Sequence, residues 1–350
     1  RLGNHLMVAL NGTDDWLMMP GYFDDGGDMA SLDLFSFDGG AQWNGAEASA
    51  QAVVSGTVDA DDLGGTDGFD GDDQMPGSDG DDNLVGGGDL LNDGQDNDVL
   101  HGDSDTGILE GTEGDDVLEA LDGVGYLNGA AGNDRIASGA SVAMLIGGAG
   151  DDLIEAGGGA DVVAFNRGDG ADTLAESAGA DDTISLGGGI RYADLALRRA
   201  GDDLVLEAGG ADSIALRNWY AAVENRGVAS LQVIVEAMAD FDAVSDDPLT
   251  NRKVACFDFG GLTDAFDAAA AVNPGLTSWA LADALTQFHL SSSDDVALGG
   301  DLAYQYGRNG TLAGIGFAAA QEVLGDAAFG SQAQALRPLA GLQDGAVRLS

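Results

Sequence analysis

Aliphatic residues recur at a fixed interval of nine through the middle of the chain. Starting from Leu100, the aliphatic positions are Leu109, Leu118, Leu127, Ile136, Leu145, Ile154 and Val163. The residue before each of them is mostly apolar too, whereas Gly and Asp fill the intervals. A nine-residue unit is too short for a helical repeat, but it accommodates one short strand and one tight turn. The pattern therefore predicts a parallel β-solenoid in which two units form one coil.

A different pattern after the repeat predicts an antiparallel hairpin. Within residues 203–220, the stretches DLVLEA and DSIALRNWY alternate apolar and polar residues around Gly209-Gly210. Residues 3–23 align with this region, so the same element is expected near the start of the chain. The aromatic pair Trp219-Tyr220 is expected to pack over the end of the solenoid rather than to bind a ligand.

After residue 221 the apolar spacing becomes typical of helices. Two sets fall at positions i, i+3, i+4 and i+7: Leu231, Ile234, Val235 and Met238, then Leu281, Ala284, Leu285 and Phe288. Pro274-Gly275 is expected to separate two helices, with Thr277 or Ser278 capping the second. The predicted fold class is mainly β with a C-terminal α-rich part.

Charge adds a constraint on what the chain binds. Its 350 residues contain 13 Lys plus Arg against 61 Asp plus Glu, which gives a formal net charge of -48. No Lys or Arg occurs between Arg1 and Arg135, so the carboxylates there repel one another unless solvent or cations intervene. Nucleic acid and anionic membrane surfaces are poor partners for such a chain. A hard, oxygen-seeking cation such as calcium is the expected counter-charge.

Cysteine usage excludes a disulfide framework, and the start of the chain predicts that it is part of a longer protein. Cys256 is the single cysteine, which excludes an internal disulfide framework, and metal is the usual substitute. Apolar residues reach 44%, enough for a core, but no run of 18 of them predicts a membrane span. The chain begins with Arg and shows no N-terminal signal peptide, so it is expected to be part of a longer protein.

The repeats resemble a known calcium-binding motif. The segments GGAGDDLIE at 147–155, GTEGDDVLE at 111–119 and GAAGNDRIA at 129–137 resemble the repeats-in-toxin (RTX) nonapeptide, GGxGxD followed by x, an aliphatic residue and x. Several near-matches in one register are more specific than a single match. The resemblance covers roughly 77–172 and implies a parallel β-roll (a β-solenoid of nonapeptide repeats) that binds several Ca²⁺ ions.

The residue types suit that chemistry. Gly permits a positive φ and lets carbonyl groups point at an ion, and the Asp at the sixth position supplies a carboxylate. Residues eighteen positions apart stack in a roll, so each ion is expected to be shared by two successive turns. Read in register, the sixth position is Asp98, Gly107, Asp116, Gly125, Asp134, Ala143, Asp152 and Asp161.

The alternation of acids predicts a one-sided row of ions. Three shared sites are expected along the side that carries Asp98, Asp116, Asp134 and Asp152, with weaker ions or none on the other side. Asp161 is expected to act only at the end of the roll, with the following GDGADT turn. The candidate calcium ligands are Asp82, Asp89, Asp98, Gly111, Gly114, Asp116, Gly129, Gly132, Asp134, Gly147, Gly148, Gly150, Asp152, Gly157, Gly159, Asp161 and Asp172.

Two of these candidates have an unsettled place in the row. Asp89 is an earlier acid in register, whereas Asp82 fits the motif locally but lies two residues out of phase with a coil. A competing interpretation treats all Asp and Gly as ordinary turn formers. Turns alone, however, need neither an acid at the sixth position nor a locked phase.

The sequence contains no recognisable catalytic constellation. Its three histidines, His5, His101 and His289, are far apart and form no H-E-x-x-H motif, and G-x-S-x-G is also missing. The adjacent carboxylates Asp151-Asp152 are interpreted as a solvent-facing residue and a ligand. The segment GGDLAYQYGRNG within 297–316 is either a carbohydrate-facing aromatic patch or a packed hairpin, and packing is favoured. Any enzymatic activity is expected upstream of residue 1.

These features predict five segments and an extracellular protein. The flanking segments resemble haemolysin-type calcium-binding-related modules of large bacterial exoproteins, which implies export by type I secretion machinery. Three functions are open: a calcium-folded scaffold and secretion region, the carrier segment of a secreted protease, lipase or epimerase, or a surface adhesin or surface-layer component with cell-surface or polysaccharide contacts. The segments are the end of a preceding module at 1–54, an acidic linker at 55–76, the β-roll at 77–172, a hairpin module at 173–221 and a helical domain with an export signal at 222–350.

Overall fold

The computed structural model describes most of the chain after residue 73. The described residues are 74–86, 90–102, 107–121, 125–175, 181–345 and 347–350, together with the backbone of the short strands 6–9, 16–19, 35–36, 42–43 and 62–64. No helix in these ranges is both long and apolar enough to cross a membrane.

Strands dominate the described part of the chain. In chain order they are β1 Leu6–Ala9, β2 Trp16–Met19, β3 Phe35–Ser36, β4 Gln42–Trp43, β5 Asp62–Gly64, β6 Gln74–Ser78, β7 Asn83–Gly86, β8 Leu90–Gly94, β9 Val99–Gly102, β10 Gly107–Glu110, β11 Val117–Ala120, β12 Gly125–Ala131, β13 Arg135–Ala137, β14 Ala143–Ala149, β15 Leu153–Glu155, β16 Val162–Phe165, β17 Ala171–Leu174, β18 Asp182–Leu186, β19 Ala196–Ala200, β20 Asp203–Gly209, β21 Asp212–Leu216, β22 Val228–Ile234, β23 Val254–Asp258, β24 Trp279–Ala280, β25 His289–Ser293, β26 Val296–Ala297 and β27 Gln334–Ala335.

Helices occur late in the chain. The α-helices are α1 Phe259–Val272, α2 Ala282–Leu285, α3 Gly300–Asn309, α4 Phe317–Leu324 and α5 Leu339–Leu342, and short 3₁₀ turns occur at Tyr192–Asp194, Val223–Asn225 and Val235–Ala237. The longest helix, α1, begins after Asp258, whose carboxylate accepts a hydrogen bond from the Gly261 N–H at 2.9 Å. The fold class predicted from the sequence, mainly β with an α-rich C-terminal part, is confirmed.

The strands from β5 to β18 wind into a parallel β-roll of two sheets. Even-numbered strands from β6 to β18 form one sheet, here called sheet 1, and odd-numbered strands from β5 to β17 form the other, sheet 2. Pairing in register joins Ile108 to Tyr126 in sheet 1 and Leu118 to Ile136 in sheet 2. Both pairs are eighteen residues apart, which confirms the coil length expected from two nine-residue units.

The coil length changes at both ends of the regular region. Asn83 pairs with Val99, so the preceding coil is two residues shorter than the rest. Leu153 pairs with Thr173, so the following coil is two residues longer. The roll thus absorbs small insertions and deletions in its turns while the strands stay stacked.

The core of the roll lies between the two sheets. The residues on the nine-residue interval all point into it and are at most 1% exposed: Leu100, Leu109, Leu118, Leu127, Ile136, Leu145, Ile154 and Val163. Successive strands belong to opposite sheets, so each sheet contributes alternate members of the series. The parallel β-solenoid predicted from this interval is confirmed, and the interval residues form its core.

The outer faces of the two sheets differ. On sheet 1 the residues just before the core positions are buried against C-terminal segments that include α3 and α4: Ile108, Tyr126, Met144 and Val162. On sheet 2 the equivalent residues are only half-buried: Val99, Val117, Arg135 and Leu153. The C-terminal part of the chain therefore covers one sheet, which gives the roll a second apolar layer.

The predicted hairpin is present and extends the roll. Strands β20 and β21 pair antiparallel, with Leu206 opposite Ile214, and β21 also pairs in parallel with β17. Trp219 is buried and meets the Phe259 ring edge-on at 5.8 Å between centroids, as expected of a residue that packs over the end of the roll. Near the start of the chain, β1 and β2 also pair antiparallel.

The first predicted helix of the C-terminal part is wrong. Leu231 and Ile234 lie in strand β22, and Val235 begins a 3₁₀ turn that ends before Met238. Strand β22 extends sheet 1, pairing in parallel with β18 and antiparallel with β23. Both of its faces are buried, so apolar residues occur at odd and even positions, and some of them coincide with helical spacing.

The second helical pattern is only partly right. Its helix, α2, is short, and neither predicted capping residue caps it, because Ser278 instead donates to a Glu207 carboxylate oxygen at 2.8 Å. Pro274-Gly275 does separate α1 from α2. The GGDLAYQYGRNG segment forms α3 rather than a hairpin, although Tyr304 and Tyr306 are buried as the packing interpretation required. The division of the chain into five domains stays a prediction.

Candidate metal centre

One edge of the roll is formed by six stacked turns in which the chain passes from sheet 1 to sheet 2. These turns, here called the carboxylate edge, are 77–82, 93–98, 111–116, 129–134, 147–152 and 166–172. The last residue of each turn is a buried aspartate: Asp82, Asp98, Asp116, Asp134, Asp152 and Asp172. The row includes the four predicted members and continues by one turn at each end.

Hydrogen bonds hold these aspartates in a single line. The backbone N–H of Asp98 donates to Oδ1 of Asp116 at 3.0 Å, and the N–H of Asp116 donates to Oδ1 of Asp134 at 2.8 Å. Asp134 and Asp152 are joined in the same way at 2.8 Å. At the ends, Asp82 donates to Oδ1 of Asp98 at 2.6 Å and Asp152 donates to Oδ1 of Asp172 at 3.2 Å. One oxygen of each linked carboxylate is therefore occupied by the preceding turn.

In the four central carboxylates of the row the other oxygen is buried without a donor among the described residues. Oδ2 of Asp98, Asp116, Asp134 and Asp152 receives no hydrogen bond from the part of the chain that the structure describes. A buried carboxylate oxygen in that state is costly, because it has lost water and gained nothing in exchange. The four atoms repeat along the edge at every coil.

Burial makes these carboxyl groups weak acids when no cation is near. Loss of solvent raises the pKa of Asp98 and Asp134 to about 7, and that of Asp116 and Asp152 to about 6. Hydrogen bonds from the backbone N–H groups lower each pKa, and neighbouring carboxylates raise it again. At the end of the row, burial and then the charge of Asp152 raise the pKa of Asp172 to about 8.

Glycines leave space for an ion beside each free oxygen. A Cβ added to Gly111 would lie 2.5 Å from Oδ2 of Asp116 and 2.7 Å from the carbonyl oxygen of Gly129. The position beside Gly111 is thus lined by a carboxylate oxygen of its own turn and a carbonyl oxygen of the next. Gly129 and Gly147 occupy the same place in their turns, where a Cβ would lie 2.1 and 2.2 Å from the corresponding Oδ2.

The remaining turn glycines permit close stacking. Gly132 has a φ of +151°, and a Cβ there would lie 1.6 Å from the carbonyl oxygen of Gly114. Gly150 stands in the same relation to Gly132, and Gly148 approaches the carbonyl oxygen of Ala130 with a φ of +102°. Side chains at these places would push successive turns apart.

Sequence reasoning missed a second ladder on the outside of the same edge. The fifth residues of the turns are exposed and alternate between Asp and Asn: Asp81, Asn97, Asp115, Asn133 and Asp151. Each side chain accepts a hydrogen bond from the backbone N–H of the following turn, for example from Asn133 to Oδ1 of Asp115 at 2.7 Å. Alternation halves the number of like charges in the ladder, and its signal in the sequence is the eighteen-residue spacing of polar residues that are good side-chain acceptors.

Sequence reasoning also missed Asp93. It occupies the first position of turn 93–98, where glycine stands in turns 111–116, 129–134 and 147–152. Its side chain is fully buried, and one oxygen each from Asp93, Asp98 and Asp116 lie within 4.8 Å of one another. Burial, followed by the charges of Asp116 and Asp98, raises the pKa of Asp93 to about 9.

The other side of the roll, here called the opposite edge, has no acid at the sixth position in the three described coils before Asp161. Gly107, Gly125 and Ala143 hold the sixth position there, followed by the buried Asp161. The backbone N–H of Ala143 donates to Oδ1 of Asp161 at 2.6 Å, and the N–H of Asp161 donates to Oδ1 of Asp182 at 3.0 Å. Burial, and then the charge of Asp182, raises the pKa of Asp161 to about 8.

The structure gives the places of Asp172 and Asp82 in the row, whereas it does not describe Asp89. Asp172 does not accompany Asp161 but extends the carboxylate edge, because the turn that contains it is on the other side of the roll. Asp82 belongs to the same row despite its phase, because the coil after it is short. Asp89 lies outside the described residues. Gly157 and Gly159 lie on the opposite edge, in the turn that precedes Asp161.

A buried carboxylate elsewhere in the molecule shows what the row lacks. Asp301 is 2% exposed, and its two oxygens accept hydrogen bonds from the backbone N–H and the guanidinium of Arg337, each at 2.7 Å. Within the described turns of the carboxylate edge, the basic residue Arg167 pairs instead with Asp194 at 2.6 Å, and the chain has no Lys or Arg between Arg1 and Arg135. The side chain of Arg135 itself contacts Glu119 and Glu155 on the face of sheet 2.

The arrangement is chemically suited to hard cations. Its donors are carboxylate and carbonyl oxygens only, which favours Ca²⁺ over metals that prefer nitrogen or sulfur. The unpaired Oδ2 atoms and the glycine-lined spaces beside them fit ions held between successive turns. The fold and this edge together define a parallel β-solenoid protein with a buried row of carboxylates.

Comparison with known proteins adds a structural likeness. No protein-family model and no curated protein matches the chain. Among the solved structures that match is the crystal structure of the extracellular lipase LipA from Serratia marcescens. The match covers 51% of this chain and 40% of the lipase chain, with 20% sequence identity and a TM-score of 0.27. This chain thus corresponds to less than half of the lipase, and a likeness of this size carries no argument about function.

Proposed function

We propose that this chain is a calcium-binding, calcium-folded and non-catalytic region of a secreted bacterial protein of the RTX class. The observation that carries the proposal is the repeated buried Oδ2 atom on the carboxylate edge, which has no donor among the described residues. Calcium ions between successive turns supply the missing positive charge and the missing ligand contacts.

Calcium binding and folding are one process in this proposal. Each ion is held by two successive turns, so the site exists only when those turns are stacked. At ~1 mM calcium and a dissociation constant of ~0.1 mM, one site stabilises the folded state by about 1.4 kcal/mol. Several such sites together reach the usual net stability of a domain, about 5–15 kcal/mol.

Circular dichroism of the whole chain tests this proposal. In EDTA we expect the strand signal of the roll to be largely lost, because the carboxylates of the row repel one another once no cation joins them. Millimolar Ca²⁺ should restore it, and the same concentration of Mg²⁺ should restore much less, since Mg²⁺ demands a stricter geometry and gives up its water reluctantly. Equal strand content in EDTA and in calcium would contradict the proposal.

The second part of the proposal concerns export. A type I system is proposed to export the chain unfolded, with an uncleaved signal within about the last 60 residues, by analogy with the proteins that the repeats resemble. Secretion of the full chain should then exceed that of a chain ending at Asp294. Equal export of the two chains through a type I channel would remove this part and leave calcium binding unaffected.

Two broader roles remain compatible with a calcium-folded scaffold. The chain serves either as the carrier of an upstream catalytic domain or as part of an adhesin or surface layer that contacts cells or polysaccharide. The sequence of the protein before residue 1 distinguishes these roles, because a carrier requires a catalytic domain there. Both use the carboxylate edge in the same way.

A further inference from the structure

The turns of the carboxylate edge differ at their first residue. Glycine holds this position in 77–82, 111–116, 129–134 and 147–152, whereas turn 93–98 has Asp93. The glycines stand where a side chain would meet Oδ2 of the aspartate that ends the same turn. A side chain at this position therefore reaches the space in which the row's free oxygens lie.

The side chain of Asp93 lies in the space beside the carboxylates of Asp98 and Asp116. It is fully buried, and its Oδ1 accepts a hydrogen bond from the N–H of Gly94 at 2.7 Å. No donor in the described ranges reaches its Oδ2, and the same is true of Oδ2 in Asp98 and Asp116. One carboxylate oxygen from each of the three residues lies within 4.8 Å of the other two.

Three buried carboxylates at this separation require a counter-charge. Like charges in a space without solvent repel strongly, and the sequence offers no Lys or Arg between Arg1 and Arg135. The other gaps of the row place the two aspartates that end adjacent turns near each other, and among the described residues no other three carboxylates have oxygens within 4.8 Å of one another. The gap between turns 93–98 and 111–116 has the two aspartates that end these turns, Asp98 and Asp116, and in addition Asp93.

We infer that Asp93 is a third carboxylate ligand of the cation held between turns 93–98 and 111–116. This inference rests on the proposed function, and it makes one site of the row more negative than the others. Higher ligand charge strengthens the binding of Ca²⁺ and favours trivalent ions still more. The site should fill first as calcium rises, and it should prefer La³⁺ over Ca²⁺ by a larger factor than its neighbours.

The test compares Ca²⁺ and La³⁺ titrations of the whole chain by calorimetry. The variant Asp93→Asn keeps the shape of the side chain and removes its charge. We expect the tightest calcium site to weaken about tenfold or more and to lose its added preference for La³⁺, because ligand charge sets affinity at such sites. The number of calcium ions bound at saturation should not change.

A matched control separates a ligand from a nearby charge. Asp115 is exposed in the adjacent turn, and its Oδ1 accepts a hydrogen bond from Asn133 that an asparagine would also accept. Asp115→Asn therefore removes one charge close to the same gap without removing an inward oxygen. We expect it to change calcium affinities by less than about twofold, since solvent and salt screen an exposed charge.

The outcomes distinguish the inference from the proposed function. If the unmodified chain binds no calcium, the proposed function fails and the inference fails with it. If the unmodified chain binds several ions but Asp93→Asn alters affinities no more than Asp115→Asn does, only the inference is overturned. Should Asp93→Asn not fold in calcium, Asp93→Gly decides, because it restores the residue of the other turns and should lower the affinity of the tightest site to that of its neighbours.

Discussion

The two edges of the roll carry out the same change of direction with different residues. Strands that follow the carboxylate edge and strands that follow the opposite edge both stack in register at eighteen residues. The last residue is aspartate in every turn of the carboxylate edge, but the corresponding residue is Gly107, Gly125 and Ala143 for three successive coils of the opposite edge. The coil is thus equally regular with and without the acid.

This difference shows that the aspartates are not required for the chain to turn. If they were ordinary turn formers, the opposite edge would need them as well. On the carboxylate edge Asp98, Asp116, Asp134 and Asp152 instead accept a hydrogen bond on Oδ1 from the preceding turn, and their Oδ2 is buried and has no donor within the described residues. Local structure does not explain the free-energy cost of burying a carboxylate oxygen without a hydrogen-bond donor, and a bound ligand would offset it.

The largest expected difference between the edges lies in the number of ions each aspartate supports. Asp134→Ala removes a carboxylate that borders two gaps of the carboxylate edge, so we expect two calcium ions to be lost or weakened. At about 1.4 kcal/mol per site, folding in ~1 mM calcium should weaken by about 3 kcal/mol. Calorimetric titration gives the ion count.

Asp161→Ala is the matched variant on the opposite edge. It should affect at most the end of that edge, where Asp182 is the neighbouring acid. An equal loss of ions in the two variants would mean that both edges bind calcium alike.

The next effect concerns how closely turns stack on the carboxylate edge. Gly132→Ala places a Cβ 1.6 Å from the carbonyl oxygen of Gly114, so the turns must separate. We expect a loss of about 2 to 3 kcal/mol in the free energy of unfolding, together with weaker calcium binding. Gly168→Ala is the control, because its φ of +94° is also positive but nothing lies within 4 Å of the added Cβ. It should cost about 1 kcal/mol, and similar losses would show that strain rather than stacking is responsible.

Acid should stabilise the roll when calcium is absent. The pKa values of Asp98, Asp116, Asp134, Asp152 and Asp172 are about 6 to 8 in the folded state against 3.8 for an ordinary aspartate, so the folded state binds more protons between these values. Stability from this source is fully present below pH 3.8 and is lost as pH rises through 6 to 8. In a calcium-free buffer we therefore expect more strand signal by circular dichroism at pH 5 than at pH 8.

Calcium should reverse the direction of this dependence. An ion must displace the protons from its ligands, so calcium affinity should rise as pH rises over the same interval. Strand content that increases with pH in the absence of calcium would be incompatible with protonated, buried carboxylates at this edge.

The smallest effect on stability is expected when Arg135 is removed from its ion pairs with Glu119 and Glu155. Arg135 follows Asp134 in the chain, but its half-exposed side chain pairs with Glu119 and Glu155 on the face of sheet 2. Arg135→Ala should lower the free energy of unfolding by less than about 1 kcal/mol and leave the ion count unchanged. Arg198→Ala, which removes a similarly exposed pair with Glu207, serves as the control. Loss of a calcium ion in Arg135→Ala alone would extend the metal centre onto the sheet.

The sequence was most informative where one residue type has one role. Residues on the nine-residue interval face the core and nothing else, so the interval predicted the core and the coil length. The acid at alternate sixth positions likewise predicted a one-sided row. Changes in turn length hid the ends of that row, since Asp82 and Asp172 are sixteen and twenty residues from their neighbours in it.

The prediction of secondary structure failed where a strand is buried on both faces, because such a strand lacks the alternation of apolar and polar residues. Strand β22 is covered on both faces, so its apolar residues gave no alternation and were assigned to a helix. Asp93 was missed for a different reason, because it replaces a glycine of the motif and only the stacked turns bring it to Asp98 and Asp116.

The apolar layer over sheet 1 has a consequence for cooperativity. In a simple solenoid each coil contacts only its neighbours, so coils form and fray one after another like units of a one-dimensional lattice. Here residues from five successive coils share one buried cluster with the C-terminal segments: Leu90, Ile108, Tyr126, Met144 and Val162. A roll with only some of its coils formed would leave much of that layer without a partner. Because this layer contacts several coils at once, it couples their folding. Unfolding of the roll should therefore be one cooperative transition and not a gradual, coil-by-coil loss of structure.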